Sequence, residues 1–463
     1  MTSTASTAKA DSTPEVSVGL RLGWGIGTLG TAALFNTFSI FILFYLVNIV
    51  GLSPALAGTL IFVARIFDMA IDPPIGVLSD RTNSRWGRRR PWMFWGAFVA
   101  GGSFLLMFNF PAAIEAEWLK VVYVLTGFFF FSLGYSMFNV PYMAMPAEMT
   151  NSYNERTALM SFRVFFIGVG GFLAGGIGNL VITRFGNDGP LGYSIMSIMI
   201  ASVVCLAMLA CVWGTAKAKM NYHEQTEHTW QEQIQLLLSN KPFFMLICTK
   251  FCHLMAVSAT AATIIFLTRN ILGLPQQDIF WFSVTQLVAS TVALPFWVWV
   301  AKNFGKRNAW VFAIGCFALT SLTWLLAGKG DPFWTFLLRS GLLGFFSAGI
   351  LMMGFSILPD TIEYDYKRTG MRREGTFSAI YSFIENSASA FGPLAVGAIL
   401  SIFNYAPSRA GALVEQTAEA TRGVYVGASL LPASLMLLSC LFLFAYDLNE
   451  DKLKNATRIQ KGA

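Results

Sequence analysis

Arg65, Asp68 and Asp72 stand inside an apolar run that opens near Ala55. A helix turns by about 100° per residue, so the three positions fall within roughly 60° of arc and share one face. Each such charge costs about 2.5–3.5 kcal/mol at a bilayer centre. Three together point to an ion or proton site in a membrane protein that moves a solute. Carboxylate oxygens are hard ligands suited to small cations. Pro73 and Pro74 follow at once and cannot donate to the carbonyls of Met69 and Ala70, which frees two more acceptors beside the acids. With Arg65 charged and both aspartates ionised, one net negative charge remains for one Na⁺ or one proton to neutralise. A purely structural pair of Arg65 with one aspartate would leave the other carboxylate uncompensated in a costly setting.

The rest of the chain supplies that setting. Of its 463 residues 55% are hydrophobic and only 12% charged, against about 25% charged in a soluble protein. Apolar runs near the roughly 20 residues needed to span a bilayer recur along the length. They predict an all-α membrane protein of twelve transmembrane helices, near 22–48, 55–79, 92–112, 119–147, 158–183, 192–214, 243–269, 277–302, 309–328, 333–357, 376–404 and 423–447. Residues 1–21 and 448–463 are expected to be cytoplasmic tails, and 215–242 a cytoplasmic linker between halves 22–214 and 243–447. Lys and Arg concentrate in the even-numbered connections, among them Arg81, Arg85, Arg88, Arg89 and Arg90, then Lys306 and Arg307, then Lys367, Arg368, Arg372 and Arg373. The positive-inside rule then places both termini in the cytoplasm of a plasma (bacterial inner) membrane. The net charge of +7 needs no nucleic acid partner. All six cysteines lie in apolar segments, which favours buried hydrophobes over a disulfide framework or metal centre. No nucleophile–base pair, phosphate loop or cofactor motif suggests an enzyme, and no cofactor beyond the coupling ion is expected.

An internal repeat crosses the linker. Trp86-Gly-Arg-Arg-Arg-Pro-Trp92 aligns with Phe304-Gly-Lys-Arg-Asn-Ala-Trp310 at an offset of 218 (304 against 86), each between the second and third helix of its half. Pro146-Ala-Glu148 and Pro359-Asp360 are read as the ends of helices four and ten. Two similar six-helix halves resemble the major facilitator superfamily, whose halves rock to give alternating access.

More specific motifs follow. Asp68-Met-Ala-Ile-Asp72-Pro leads into Asp80-Arg-Thr-Asn-Ser-Arg-Trp-Gly-Arg-Arg-Arg-Pro-Trp92. Gly134-Tyr-Ser-Met-Phe-Asn-Val-Pro-Tyr142 lies in helix four, and Asn154-Glu-Arg-Thr157 with Arg163 enters helix five. Pro359-Asp-Thr-Ile-Glu-Tyr-Asp365 runs on to Arg373-Glu-Gly375. Together these resemble the glycoside–pentoside–hexuronide:cation symporters, the melibiose permease family. The resemblance implies that Asp68 and Asp72 bind the coupling cation, Na⁺ or H⁺, aided by Ser136 where the best-known member has Thr. It implies substrate contact for Tyr135, Asn139, Tyr142 and Arg163.

Departures from the family are equally informative. Where its galactoside carriers hold two sugar-gripping aspartates, this chain has Ala32 and Asn139; a Trp becomes Met143 and a helix-eleven Lys becomes Asn386. Galactoside specificity therefore does not carry over. In helix eleven Ser378, Ser382, Glu385, Asn386 and Ser389 form a stripe about 100° wide, and Glu385 is its strongest cavity candidate, because a lone carboxylate in lipid is costly. Asn36, Lys250, His253 and Arg339 are further intramembrane polar residues; Lys250 and Arg339 are long enough to snorkel to a surface. Arg65, Arg81, Arg88, Glu148, Asp360 and Glu363 are expected to form a cytoplasmic gate closed by ion pairs in the outward-open state. The expected function is import of a sugar or glycoside, a uronide included, by cation symport in a monomer. The competing reading is a cation-coupled symporter of an amphipathic or lipid-like solute, since both sugar aspartates are replaced.

Overall fold

The computed structural model describes residues 16–150, 153–186, 189–218, 240–369, 374–408, 414–448 and Lys452. Twelve helices in it are long and apolar enough to cross a membrane. They are α1 (Val18–Val50), α2 (Pro54–Arg81), α3 (Arg90–Phe108), α4 (Glu117–Met149), α5 (Ala158–Phe185), α6 (Pro190–Gly214), α7 (Lys241–Leu272), α8 (Gln276–Phe304), α9 (Lys306–Leu326), α10 (Phe333–Thr369), α11 (Glu374–Ile402) and α12 (Ala418–Ala445). Most of the expected tails and linker, with Arg372 and Arg373, lies outside the described residues.

Successive helices alternate in direction, so one end of the bundle, here the terminal end, collects the start of α1 and the end of α12. The other is the far end. One boundary needs correction: α10 does not stop near 357. It runs through Pro359 to Thr369 and carries Asp360, Glu363 and Asp365 as helical residues. A Glu363–Lys367 pair at 2.6 Å, one helical turn apart, supports the extension, and Lys367 and Arg368 sit in the last turn, where cations favour the helix dipole.

The far end joins the halves. α1 and α7 each finish in a π-helical turn followed by a left-handed glycine, Gly51 at φ 78° and Gly273 at φ 65°. Both turns read Asn-Ile-Val/Leu-Gly-Leu, from Asn48 and from Asn270, a second repeat at an offset of 222 (270 against 48). The two asparagines converge on one hydroxyl: Tyr405 receives the Asn270 amide at 3.1 Å and donates to Asn48 at 3.4 Å. Ser408 adds hydrogen bonds to Asn48 and Val47, and Gln276 donates to Asn179 of α5 at 3.0 Å.

α2 and α11 cross closely and antiparallel. A Cβ on Gly397 would lie 2.4 Å from the Pro54 carbonyl oxygen and one on Gly58 2.9 Å from that of Pro393, so only glycine fits there. Phe62 packs on Phe391, and Ser387 meets Met69 midway. Toward the terminal end no hydrogen bond or ion pair between described residues joins the halves.

Tyr405→Phe deletes the hydroxyl shared by both halves: the Asn270 amide loses its acceptor, at about 1–3 kcal/mol, and Asn48 keeps only Ser408 as a donor to its side-chain oxygen. We expect the equilibrium to move toward opening at the far end. In a cysteine-free background carrying Asn36→Cys, an impermeant thiol reagent added at that side should react about fivefold faster or more. An unchanged rate would mean that the hydroxyl holds nothing shut.

Candidate cation and solute site

Helix α2 stays unbroken through Pro73 and Pro74 and presents its charges inward. Arg65 is 4% and Asp68 5% exposed, and the Arg65 Nη1–Asp68 Oδ2 distance is 3.0 Å. The guanidinium lies over Phe35 at 4.4 Å and Phe38 at 5.0 Å, rings that orient it and offset its desolvation. Among the described residues, Asp68 Oδ1, Arg65 Nε and Ser136 Oγ have no hydrogen-bond partner. Asp72 is half-buried one turn on.

Helix α4 lies alongside. Ser136 stands by Asp72 and Ser132 by Asp68, with the Ser132 hydroxyl donating to the Ala64 carbonyl at 3.1 Å. Two carboxylates four residues apart thus face two hydroxyls four residues apart. Ser132 was not singled out from sequence, although its i,i+4 relation to Ser136, matching that of Asp68 to Asp72, was the available signal. The unspent Asp68 oxygen, Asp72, the two hydroxyls and the carbonyls freed by Pro73 and Pro74 form an oxygen-rich site fit for one small cation.

The expected solute residues divide. Tyr135 is half-buried within electrostatic reach of Arg65, Asp68, Asp72 and Arg163, and Arg163 Nε has no partner among the described residues. Asn139 and Asn386 are half-buried. Tyr142 is used otherwise. It stacks on Trp24 at 4.8 Å, shares a 2.5 Å hydrogen bond with the Thr28 hydroxyl, and donates to the Trp24 carbonyl. At 1% exposure it packs α4 against α1 through Trp24 and Thr28. Asn36 folds back on the Ala32 carbonyl at 2.8 Å. The side chains of Ser378 and Ser382 lie outside those described.

Lys250 does not snorkel. It is fully buried in α7 with its Nζ 3.2 Å from Glu385 of α11. Arg339 pairs with Asp331 at 3.1 Å at the far end, over Trp324.

The expected gate is also rearranged. Arg65 lies mid-helix and pairs with Asp68, far from either mouth. At the terminal end Glu148 is held by Arg89, with Oε1 2.5 Å from Nη2 and 2.8 Å from Nε, and Arg89 also reaches Asp80 at 2.9 Å. Arg81 and Arg88 are exposed. Lys306 pairs with Asp360 at 2.6 Å, and Glu363 with Lys367 of its own helix. Arg90 donates to the Thr215 carbonyl at the end of α6, and Arg307 to Leu443 and Phe444 at the end of α12. Each half therefore carries one fastener of the same design. A basic residue at the start of its third helix grips an acid in the terminal-end part of its fourth, and the next basic residue caps its sixth. The spatial equivalence, Arg89 with Lys306 and Arg90 with Arg307, is offset by 217 (306 against 89), one less than the sequence alignment suggests. In this conformation each ion pair between described residues lies within one half.

Comparison with known proteins is consistent with these features. Residues 23–450 match the family described as MFS/sugar transport protein. The chain is 27% identical over 457 residues to the uncharacterized symporter YnaJ of Bacillus subtilis, covering 97% of this chain and 96% of that protein. It is 25% identical over 392 residues to the putative glycoside/cation symporter YagG of Escherichia coli, with 84% of each covered. A bacterial homologue of the human lysosomal transporter Spinster, in an inward-facing and unoccupied conformation, shares the fold at TM-score 0.65 and 13% identity over 96% of this chain and 98% of that one.

Removing Arg89 leaves Glu148, 9% exposed, without its counter-ion. Arg89→Ala should destabilise the protein by about 3 kcal/mol, as expected for breaking a buried pair. Arg81→Ala, at an exposed position, should change it by less than about 0.5 kcal/mol. Thermal unfolding in detergent would compare them, and equal effects would remove Arg89 from this role.

Proposed function

The chain belongs to the MFS/sugar transport protein family, and we propose that it imports a sugar or glycoside by symport with one cation through alternating access. As a secondary transporter of twelve membrane helices it is not an enzyme. The observation that carries the coupling is the buried Arg65–Asp68–Asp72 cluster, which retains one negative charge and an unspent carboxylate oxygen. Asp68 and Asp72, assisted by Ser136 and Ser132, take the cation. Na⁺ is favoured over H⁺ because Asn386, in place of a family lysine, brings no positive charge to compete for the acids.

The solute binds between the halves, with Tyr135, Asn139 and Arg163 on one side and Glu385 and Asn386 on the other. Phe62–Phe391 and Met69–Ser387 set the register of α2 against α11, which supports this arrangement because it levels Glu385 and Asn386 with Asp68–Asp72. Cation and solute then share one depth, and filling the cation site changes the field the solute meets. The terminal end, rich in Lys and Arg, faces the cytoplasm. The conformation described is accordingly the one that releases both ligands inward, and one chain, acting as a monomer, supplies the whole site.

Asp72→Asn should abolish cation-driven accumulation in proteoliposomes while solute exchange survives; uphill uptake by this variant would refute the cation role. Exchanging Na⁺ for choline at constant pH should stop uptake, and undiminished transport would assign the coupling to H⁺. Asn139 can both donate to and accept from a solute. Asn139→Ala should weaken solute binding by about tenfold or more with little change in cation affinity. Equal loss of both, or of neither, would take Asn139 out of the solute site.

A further inference from the structure

The cation cluster leaves one buried charge unused. Lys250, on the inner side of α7, is 0% exposed. A lysine of this kind is normally held by a matched, hydrogen-bonded counter-ion. Here the match is incomplete. Glu385 Oε1 approaches to 3.2 Å, yet among the described residues Lys250 Nζ makes no hydrogen bond of ordinary geometry. An ammonium has three N–H donors; the Glu385 carboxylate and the Tyr381 hydroxyl stand beside them, and neither takes a hydrogen bond of ordinary geometry. The rings of Tyr381 at 4.9 Å and Phe355 at 5.3 Å stabilise the charge without satisfying those donors. Glu385 itself is the accessible partner, its side chain 38% exposed against 0% for the lysine.

There is also space beside the ammonium. α10 brings Gly354 there, and a Cβ on it would lie 3.5 Å from the Trp310 ring, 3.6 Å from the Tyr381 hydroxyl and 3.9 Å from Lys250 Nζ. These are ordinary contact distances, so about one carbon's worth of volume is left unfilled.

We propose that Lys250 is an anion receptor in the C-terminal half: it takes a carboxylate or sulfonate carried by the solute, and Glu385 is the resident counter-ion that this group displaces. The exchange is chemically even, one carboxylate-type acceptor for another. The departing Glu385 is the member of the pair that can reach cavity water, so its charge is solvated when it leaves. An incoming anion gains N–H donors to which Glu385 offers no hydrogen bond of ordinary geometry. The neutral parts of the solute are left to Tyr135, Asn139 and Asn386 across the cavity. That the anion arrives on a sugar rests on the function proposed above; that Lys250 receives an anion does not.

Counter-ion rescue tests the receptor, with acetate as probe and the full-length protein in detergent at constant ionic strength. Glu385→Gln strands the buried ammonium. Replacing chloride by acetate should then raise its unfolding temperature by at least about 3 °C, whereas the double variant Lys250→Met/Glu385→Gln should not respond. Equal responses of the two variants would overturn the proposal. Should Glu385→Gln not fold, Glu385→Asp, which draws the carboxylate back from the lysine, takes its place with the same expected contrast. Calorimetry with glucuronate and glucose supplies the second arm. Lys250→Gln should weaken glucuronate binding at least tenfold and leave glucose unchanged; unchanged glucuronate binding would overturn the proposal. Acetate rescue with neither sugar bound by the native protein would keep the receptor and refute the sugar reading instead.

Discussion

A guanidinium and two carboxylates on one inner face of α2 cannot be neutralised among themselves, and hydrocarbon offers no other compensation. The Arg65–Asp68 pair at 3.0 Å spends one positive charge on one negative. Asp72 remains, one turn further, with hydroxyls rather than cations for neighbours. Leaving that charge unmet in a bilayer is expensive, and removing it removes the reason for the arginine. In the function proposed, a small cation resolves the imbalance and its binding switches the electrostatics of the cavity. The aromatic floor under Arg65, the serines of α4 and the paired prolines of α2 all serve to hold this imbalance in place.

How the halves are fastened follows from the same economy of charge. At the terminal end the ion pairs Arg89–Glu148 and Lys306–Asp360 each stiffen one half. The far end joins the halves through neutral groups, Asn48, Asn270 and Tyr405 above all. Neutral hydrogen bonds of about 1 kcal/mol each can be made and broken within a rocking cycle. Buried ion pairs across the moving interface would cost several times more to separate. Rigid halves and a weakly latched seam are what rigid-body alternation needs.

Much of this was legible in the sequence. Charge inside an apolar run marked the Arg65–Asp68–Asp72 cluster that α2 presents inward, and the recurrence of runs near 20 residues marked the helices, because lipid forces backbone polar groups to be satisfied within each segment. Where expectation and structure part, the cause is local. Pro359 looked like a helix end, but its chain continues as helix, favoured by the Glu363–Lys367 pair and by Lys367 and Arg368 in the last turn. Tyr142 fits the solute motif by spacing, yet its ring stacks on Trp24 and its hydroxyl bonds to Thr28, partners on another helix that spacing along α4 cannot show. Arg89 could not be told from Arg81, Arg88 or Arg90 without knowing which of them faces the end of α4. The Lys250–Glu385 pair joins residues 135 apart, a proximity that periodicity along one helix cannot reveal.

The central claim is that one net negative charge, held by Asp68 and Asp72, is the binding site of a single coupling cation. Direct calorimetric titration of the purified protein with Na⁺, in the absence of solute, addresses it without depending on what is carried. The account predicts one Na⁺ bound per chain in the native protein and in Glu385→Gln, and none in Asp68→Asn or Asp72→Asn. Undiminished Na⁺ binding in the two aspartate variants, or its loss in Glu385→Gln alone, would contradict it.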